Sequence, residues 1–158
     1  MAADLAARLT ALEDREAIRE LIAQYGPAAD AGDAEAVAGL WATDGVYHLA
    51  GFGEARGHAA IAALITGPVH QSLLAQGCAH VLGPVAITLD ADRALARGHS
   101  LLLRWTGTTF ELHRVSANRW ELVRTAEGWR VARRENALLQ GDEAARALLS
   151  PPTGPHPR

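Results

Sequence analysis

The chain has 158 residues, of which 49% are hydrophobic and 21% charged, which suits one globular domain and excludes a disordered or fibrous chain. All 15 basic residues are arginines without an obvious cluster, and the net charge is −3, so nucleic-acid binding is not expected. No stretch approaches the ~18 apolar residues of a membrane span, and the first 12 residues do not resemble a signal peptide. We therefore predict no membrane partner. Because the single cysteine, Cys78, permits no internal disulfide, we predict a cytoplasmic protein.

Two apolar stripes at helical spacing occur in the first 30 residues. The first consists of Leu5, Leu9 and Leu12, and the second of Ile18, Leu21, Ile22 and Tyr25. The stripes lie about half a turn apart, so one straight helix could not bury both in the same direction. We therefore predict a break near Glu13-Asp14, with Asp14 as N-cap, and a second break at Gly26-Pro27. Residues 1–13 are predicted to form a separate helical arm.

The segment 31–68 is predicted to contain two helices around a short strand. Asp33 is a candidate N-cap for a helix that ends at Gly45, with apolar residues including Trp41 on one side. A strand and a glycine-rich turn follow over 46–57. The next helix is predicted to stop at Gly67-Pro68.

From residue 79 onward the pattern is typical of β-structure. Alternation and turn residues predict strands over 80–89, 93–105, 110–125 and 129–139, which would form an antiparallel meander. A short helix over 143–149 and a disordered proline-rich tail over 150–158 complete the chain. Helices followed by a long twisted sheet indicate one α+β domain over 14–149. Helices covering one face of a curved sheet would make a cone with an open pocket.

This element order and several local motifs resemble the SnoaL-like branch of the nuclear transport factor 2-like superfamily. The motifs are AIRELIAQY with a following Asp30, LWATDGVY, GHAAI, CAHVLG and RWELVRTAEGWRVARR. The resemblance spans residues 12–140 and implies a cone-shaped α+β barrel. The family includes scytalone and bile-acid 7α-dehydratases, a hexachlorocyclohexane dehydrochlorinase, polyketide cyclases, isomerases and binding domains, so the fold alone does not define the activity.

Lyases of this family use a His–Asp dyad, and the resemblance places its members at Asp30 and His80. A carboxylate bonded to one ring nitrogen would fix the tautomer of the histidine and stabilise its charged form. The alternative is a loop-capping Asp30 and a structural His80. Tyr25 and Tyr47 occupy family pocket positions, where a phenol could donate to a carbonyl or a departing hydroxyl; otherwise they are aromatics at the edge of the core. A tyrosine at position 25, where the dehydrochlorinase has lysine, favours oxygen leaving groups over chloride.

Strand alternation adds candidate substrate-binding residues. They are Asn118, Trp120 and Arg124 on one predicted strand, and His99, Leu101 and Leu103 on the strand before it. The resemblance implies pocket positions for Asn118 and Arg124. Arg124 could neutralise an anion, or it could be a solvated strand residue. His99 is a second titratable candidate, whereas His113 has the opposite parity and is predicted to lie outside the pocket.

Other motifs do not indicate cofactor chemistry. The segment GFGEARG has the wrong spacing for a dinucleotide fingerprint, and no βαβ unit surrounds it. The histidines show no metal-binding spacing. We therefore predict no cofactor and no metal.

Two classes of function follow from this site. The first is a cofactor-free lyase or isomerase of the dehydratase type that acts on a small apolar ring compound through His80 and Asp30. The alternatives are a non-catalytic binding or accessory subunit, like the small subunit of ring-hydroxylating dioxygenases, or a polyketide cyclase. Strands that are apolar on both faces, at 85–87 and 101–103, predict a homodimer or homotrimer.

Overall fold

The computed structural model describes residues 2–152. Its elements are α1 (Ala2–Asp30), α2 (Ala34–Gly39), β1 (Trp41–Leu49), β2 (Gly53–Arg56), α3 (Gly57–Thr66), α4 (Pro68–Gln76), β3 (Cys78–Leu82), β4 (Ala86–Asp90), β5 (Arg93–Trp105), β6 (Phe110–Thr125), β7 (Gly128–Leu138) and α5 (Glu143–Ala147). The predicted tail over 150–158 lies mostly outside the described residues.

The strands form one curved, open sheet in the order β2-β1-β7-β6-β5-β3, with β4 also paired to β5. The antiparallel run β5-β6-β7 is the predicted meander, and the bounds of β5 and β6 are those predicted. β1 lies parallel to β7, a pairing that was not predicted, so the sheet as a whole is mixed but mostly antiparallel. The α+β cone is confirmed: α1–α4 pack on the concave side of an unclosed sheet, whereas the short α5 contacts β6 and β7.

The first helix differs from the prediction. α1 is continuous, so the breaks expected near Glu13-Asp14 and at Gly26-Pro27 are wrong. The second apolar stripe is buried, whereas the first stays exposed. One helix can carry both stripes because only the second has to face the core. Asp14 is not an N-cap: its carboxylate accepts hydrogen bonds from Arg124 Nη1 and Nη2 at 2.8 and 2.7 Å and from Trp129 Nε1 at 3.0 Å.

Gly26 lies where α1 crosses β3. A Cβ atom at this position would lie 2.3 Å from the backbone oxygen of His80, so the contact requires a residue without a side chain. Asp30 follows Gly26 by four residues and therefore projects from the same side of the helix. The glycine thus brings the helix against β3 at the point where the Asp30 carboxylate reaches His80.

We expect Gly26→Ala to destabilise the protein by about 1–3 kcal/mol, because the new methyl group overpacks a backbone contact. In an unconstrained helix the same change stabilises by about 0.5–1 kcal/mol. Gly39→Ala in α2 is the matched control, since no heavy atom lies within 4 Å of the position that its new methyl group would take. Urea unfolding of both variants measures the difference. Equal stability of the two variants would contradict the role assigned to Gly26.

Other boundaries also differ from the prediction. α2 begins after the predicted N-cap Asp33, whose side chain accepts from Ala36 N at 2.9 Å, but it ends at Gly39. Gly45 therefore lies inside β1 and ends no helix. Pro68 starts the unpredicted α4, because proline is well tolerated in a first helical turn. The strand predicted over 80–89 is divided around Pro84 into β3 and β4, which pair with successive parts of β5.

Among the helices within residues 2–152, none combines the length and the hydropathy that a membrane span requires.

Candidate active site

A cavity of about 250 Å³ opens between α1, α3, α4 and the concave face of the sheet. Its apolar lining comes from Leu49, Phe52, Leu64, Ile65, Leu73 and Leu82. Its titratable lining groups come from Tyr25, Tyr47, His70, His80, Arg114 and Arg134. An apolar pocket with a few convergent polar groups is the usual form of a small-molecule site.

Asp30 and His80 are hydrogen-bonded at the wall of this cavity. Asp30 Oδ1 lies 2.6 Å from His80 Nδ1, and Asp30 Oδ2 accepts the backbone N–H of His80 at 2.8 Å. The two side chains are 27% and 14% exposed, respectively. Because the carboxylate accepts at Nδ1, the neutral ring carries its proton there and leaves Nε2 as the basic atom.

The environment favours the neutral form of His80. Burial lowers its pKa below the ordinary value of 6.5, and the hydrogen bond and charge of Asp30 only partly oppose this effect. The charges of His70 and Arg114 lower the pKa further. At neutral pH the ring is therefore unprotonated at Nε2 and able to accept a proton.

Tyr25 and Tyr47 are both buried and both line the cavity. The Tyr25 ring stands edge-on to the rings of Tyr47 and His80, with centroid distances of 6.3 Å in each case. Burial raises the pKa of Tyr47, with a smaller opposing effect of Arg134. The Tyr47 phenol therefore keeps its proton and can act as a hydrogen-bond donor.

Arg134, which the sequence analysis did not identify, lies beside the two tyrosines and is 2% exposed. Its Cζ lies 4.1, 4.6 and 4.1 Å from the ring centres of Tyr25, Tyr47 and Trp120. Nε and Nη2 both donate to Asn118 Oδ1, at 3.0 and 2.8 Å. Nη1 is buried without a hydrogen-bond partner, and no carboxylate within residues 2–152 forms an ion pair with this guanidinium.

A β-bulge explains why Arg134 was missed. Leu122 pairs with Val131 and Glu121 pairs with Arg133, so Ala132 is an extra residue in β7. The inward positions therefore change from odd numbers before the bulge to even numbers after it. Simple alternation through Val131 would have placed Arg134 on the outer face.

Asn118 and Trp120 lie beneath the cavity and not on its surface. Asn118 is 1% exposed; its Oδ1 also accepts from Asn136 Nδ2 at 2.9 Å, and its Nδ2 donates to Ser100 Oγ at 2.8 Å. Trp120 packs against Tyr25 and the aromatic core. Both residues support Arg134 and the cavity wall, which corrects the prediction that they contact substrate.

The remaining predicted binding residues are mostly displaced from the cavity. Arg124 lies at the far end of β6, where its Nε contacts Asp92 Oδ1 at 2.9 Å and its terminal nitrogens bind Asp14. His99 is exposed, and Leu103 does not line the cavity. Leu101 reaches only the rim, being 36% exposed, because Leu102 is the inward residue of β5. Because three consecutive residues of β5 are leucines, the pattern of apolar and polar residues does not show which of them points inward.

Cys78 and His70 complete the surroundings of the dyad. Cys78 Sγ lies 3.8 Å from Asp30 Oδ1, and burial together with Asp30 raises the pKa of this thiol to about 11. Asp30, Cys78 and His80 are close enough to bind one metal ion, but both Asp30 oxygens already accept from His80 and the thiol stays protonated. This donor set fits a hydrogen-bonded dyad better than a metal site. The His70 ring lies 5.4 Å from that of His80, and its Nε2 bonds Ala29 O at 2.8 Å.

Comparison with known proteins identifies the family to which this fold and this cavity belong. The model of the SnoaL-like domain family matches residues 10–135, and the chain belongs to this family within the nuclear transport factor 2-like superfamily. It is 61% identical to an NTF2-like protein with a cystatin-like fold from Novosphingobium aromaticivorans, with a TM-score of 0.92 over 94% of this chain and 96% of that chain. No curated protein sequence matches the chain.

More distant solved structures share the fold. A hexachlorocyclohexane dehydrochlorinase from Novosphingobium barchaimii is 19% identical, with a TM-score of 0.73 over 94% of this chain and 97% of that one. A protein from Catenulispora acidiphila in complex with S-DNPA is 24% identical, with a TM-score of 0.68 over 84% and 94% of the two chains. At these identities the likeness concerns the fold.

Proposed function

We propose that the protein is a cofactor-independent lyase or isomerase of the dehydratase type that removes a proton from a small, largely apolar ring compound. The observation that carries this proposal is the Asp30–His80 pair at the wall of an apolar cavity, with Nε2 of the histidine left as a base. Asp30 holds the tautomer and stabilises the imidazolium that forms when His80 accepts the proton.

The reaction begins at a carbon next to a carbonyl group. His80 Nε2 takes the proton from that carbon, and the electron pair of the C–H bond moves to the carbonyl oxygen, giving an enolate. In this proposal the phenols of Tyr25 and Tyr47 donate hydrogen bonds to this oxygen, and the buried charge of Arg134 beside their rings stabilises it. If a hydroxyl group is present on the next carbon, it departs as water with the proton returned by His80. Protonation at another carbon instead gives an isomer.

The relatives support this class of chemistry. The similar fold of a hexachlorocyclohexane dehydrochlorinase accommodates an elimination, and the structure with S-DNPA shows a small molecule bound to a similar protein. Both likenesses leave the substrate open, so the proposal rests on the cavity of this chain.

Deuterium exchange tests the proposal on model compounds of the proposed class and does not require the physiological substrate. A panel of bicyclic ketones and their β-hydroxy derivatives is incubated with the protein in D2O, and NMR follows exchange next to the carbonyl while absorbance follows enone formation. We expect exchange or dehydration with the native protein and its loss in His80→Gln. Binding of panel compounds without either reaction would instead favour a non-catalytic binding or accessory role.

The pH dependence of turnover follows from the lowered pKa of His80. Only the neutral ring can accept a proton, so kcat/KM should rise with pH through an apparent pKa below about 6.5 and then level off. Initial rates on a panel substrate between pH 4.5 and 8 measure this rise of kcat/KM. His99→Gln is the control, because this exposed histidine should leave the profile unchanged. An apparent pKa clearly above the free imidazole value would contradict the assignment of His80 as the base.

We further propose a cytoplasmic homodimer or homotrimer. The single cysteine supports a reducing compartment. Exposed apolar side chains on β3, β5 and β6 provide a candidate contact face: Val81, Leu101, Trp105, Phe110 and Leu112. Light scattering at micromolar concentration measures the assembly.

A further inference from the structure

The outer end of the cavity is lined on one side by basic side chains. Arg104 of β5 and His113 and Arg114 of β6 face Phe52 of the β1–β2 turn and Leu73 of α4 across this opening. We call Arg104, His113 and Arg114 the cationic mouth; its charge comes from the two arginines, because burial and their charges lower the pKa of His113 below its ordinary value. Arg114 lines both the mouth and the inner cavity, so it connects the two spaces.

A bulge in β6 builds the cationic mouth. Leu102 pairs with Arg114 and Leu103 pairs with Leu112, so His113 is an extra residue in the strand. Adjacent residues of a regular strand point to opposite faces, but a bulge changes the direction of a side chain. His113 and Arg114 consequently line the same opening. His113 therefore lies outside the inner cavity, as alternation predicted, but contributes to its outer opening.

The positive charge of the mouth has no acidic counterpart. Within residues 2–152, no aspartate or glutamate lines the cavity or its mouth, and neither Arg104 nor Arg114 forms an ion pair. Glu111 is the register partner of Arg104 but forms no ion pair with it. Arg133, by contrast, is paired with two carboxylates at 2.7 and 2.8 Å. Unpaired guanidinium groups beside low-dielectric walls attract an anion strongly.

We propose that the ligand of this cavity is an amphipathic ring compound with a carboxylate-type oxyanion. The apolar ring lies in the inner cavity beside His80, and Arg114, assisted by Arg104, binds the oxyanion at the mouth. A guanidinium presents a planar fork of donors that matches the two oxygens of a carboxylate. This inference rests on the proposed function in one respect: the cavity has to be the ligand site. It then narrows the class of substrate to ring compounds that carry an oxyanion. It requires no particular reaction.

Two fluorescent probes distinguish the contribution of the oxyanion to binding from that of the apolar ring system. 8-Anilinonaphthalene-1-sulfonate carries an oxyanion, and N-phenyl-1-naphthylamine has the same ring system without it. We expect Arg114→Gln to weaken binding of the anionic probe about tenfold and binding of the neutral probe less than twofold. The double variant with Arg104→Gln should weaken the anionic probe further. Arg93→Gln removes the same charge at the opposite end of β5 and should change neither affinity.

A competition arm identifies the carboxylate. 2-Naphthoate should displace the neutral probe from the native protein at least fivefold more effectively than 2-acetylnaphthalene, and Arg114→Gln should abolish this preference. Equal competition by the two compounds would overturn the proposal. So would equal loss of both fluorescent probes in Arg114→Gln, loss of the anionic probe in Arg93→Gln, or failure of both probes to bind. Because every readout is binding, these results stand whether or not the exchange experiment detects catalysis.

Discussion

Asp30→Asn should lower kcat by about 10²–10⁴ while leaving the fold intact, as in other His–Asp pairs. The carboxylate accepts two hydrogen bonds, from Nδ1 and from the backbone N–H of His80. An amide has only one acceptor oxygen. If that oxygen keeps the backbone bond, the amide NH2 group faces Nδ1 and favours the tautomer with its proton on Nε2. The imidazole then presents a donor to the cavity where the reaction needs a base.

Single-turnover rates on a substrate from the ketone panel measure this loss, and thermal unfolding reports the fold. Asp44→Asn is the matched control, because Asp44 is exposed in β1 and should leave the rate unchanged. His80→Ala should lose at least as much activity as Asp30→Asn. Turnover by His80→Ala within about threefold of the native rate would remove the dyad from the mechanism, since loss of a general base costs about 10²-fold or more.

The sequence allowed the fold to be predicted where local patterns and packing agree. β5 and β6 were located correctly because alternation continues over many residues and turn residues bound both strands. Asp30 and His80 were identified by a family resemblance, and the structure places them in hydrogen-bond contact. No local pattern shows that residues 50 positions apart in the chain will meet.

The errors arose where a tertiary contact changes the meaning of a local signal. Gly26-Pro27 was interpreted as a helix break, but the glycine serves a backbone contact with His80 and the helix continues to Asp30. The bulges at Ala132 and His113 each shift strand parity by one residue. Arg134 follows the bulge at Ala132, so simple alternation through Val131 places it on the wrong face. Arg114 has the same parity as Asn118 and could have been predicted from alternation along β6. A single-residue insertion of this kind has no clear signature in one sequence.

Arg134→Met should separate catalytic function from stability. Methionine keeps much of the apolar volume but removes the positive charge beside the cavity, so we expect kcat to fall about 10²–10³-fold. The free energy of unfolding should stay within about 2 kcal/mol of the native value. Desolvating a guanidinium without a carboxylate partner is costly, and relief of this cost offsets the lost ring stacking and the two bonds to Asn118. Rate measurements on a panel substrate and urea unfolding test both expectations.

Arg133→Met is the control for this experiment, because it removes the same charge at the adjacent residue. Arg133 points away from the cavity and is paired with Glu54 and Glu135 at the surface. Its loss should cost about 0.2–1 kcal/mol of stability and leave kcat within about threefold. If Arg134→Met unfolds the protein while a correctly folded fraction keeps its native rate, Arg134 is only a structural residue. If the Arg134→Met variant stays folded but its kcat falls, the buried charge stabilises the oxygen on which negative charge develops in the reaction. Stability alone gives no reason to keep a cation without a carboxylate partner in the core.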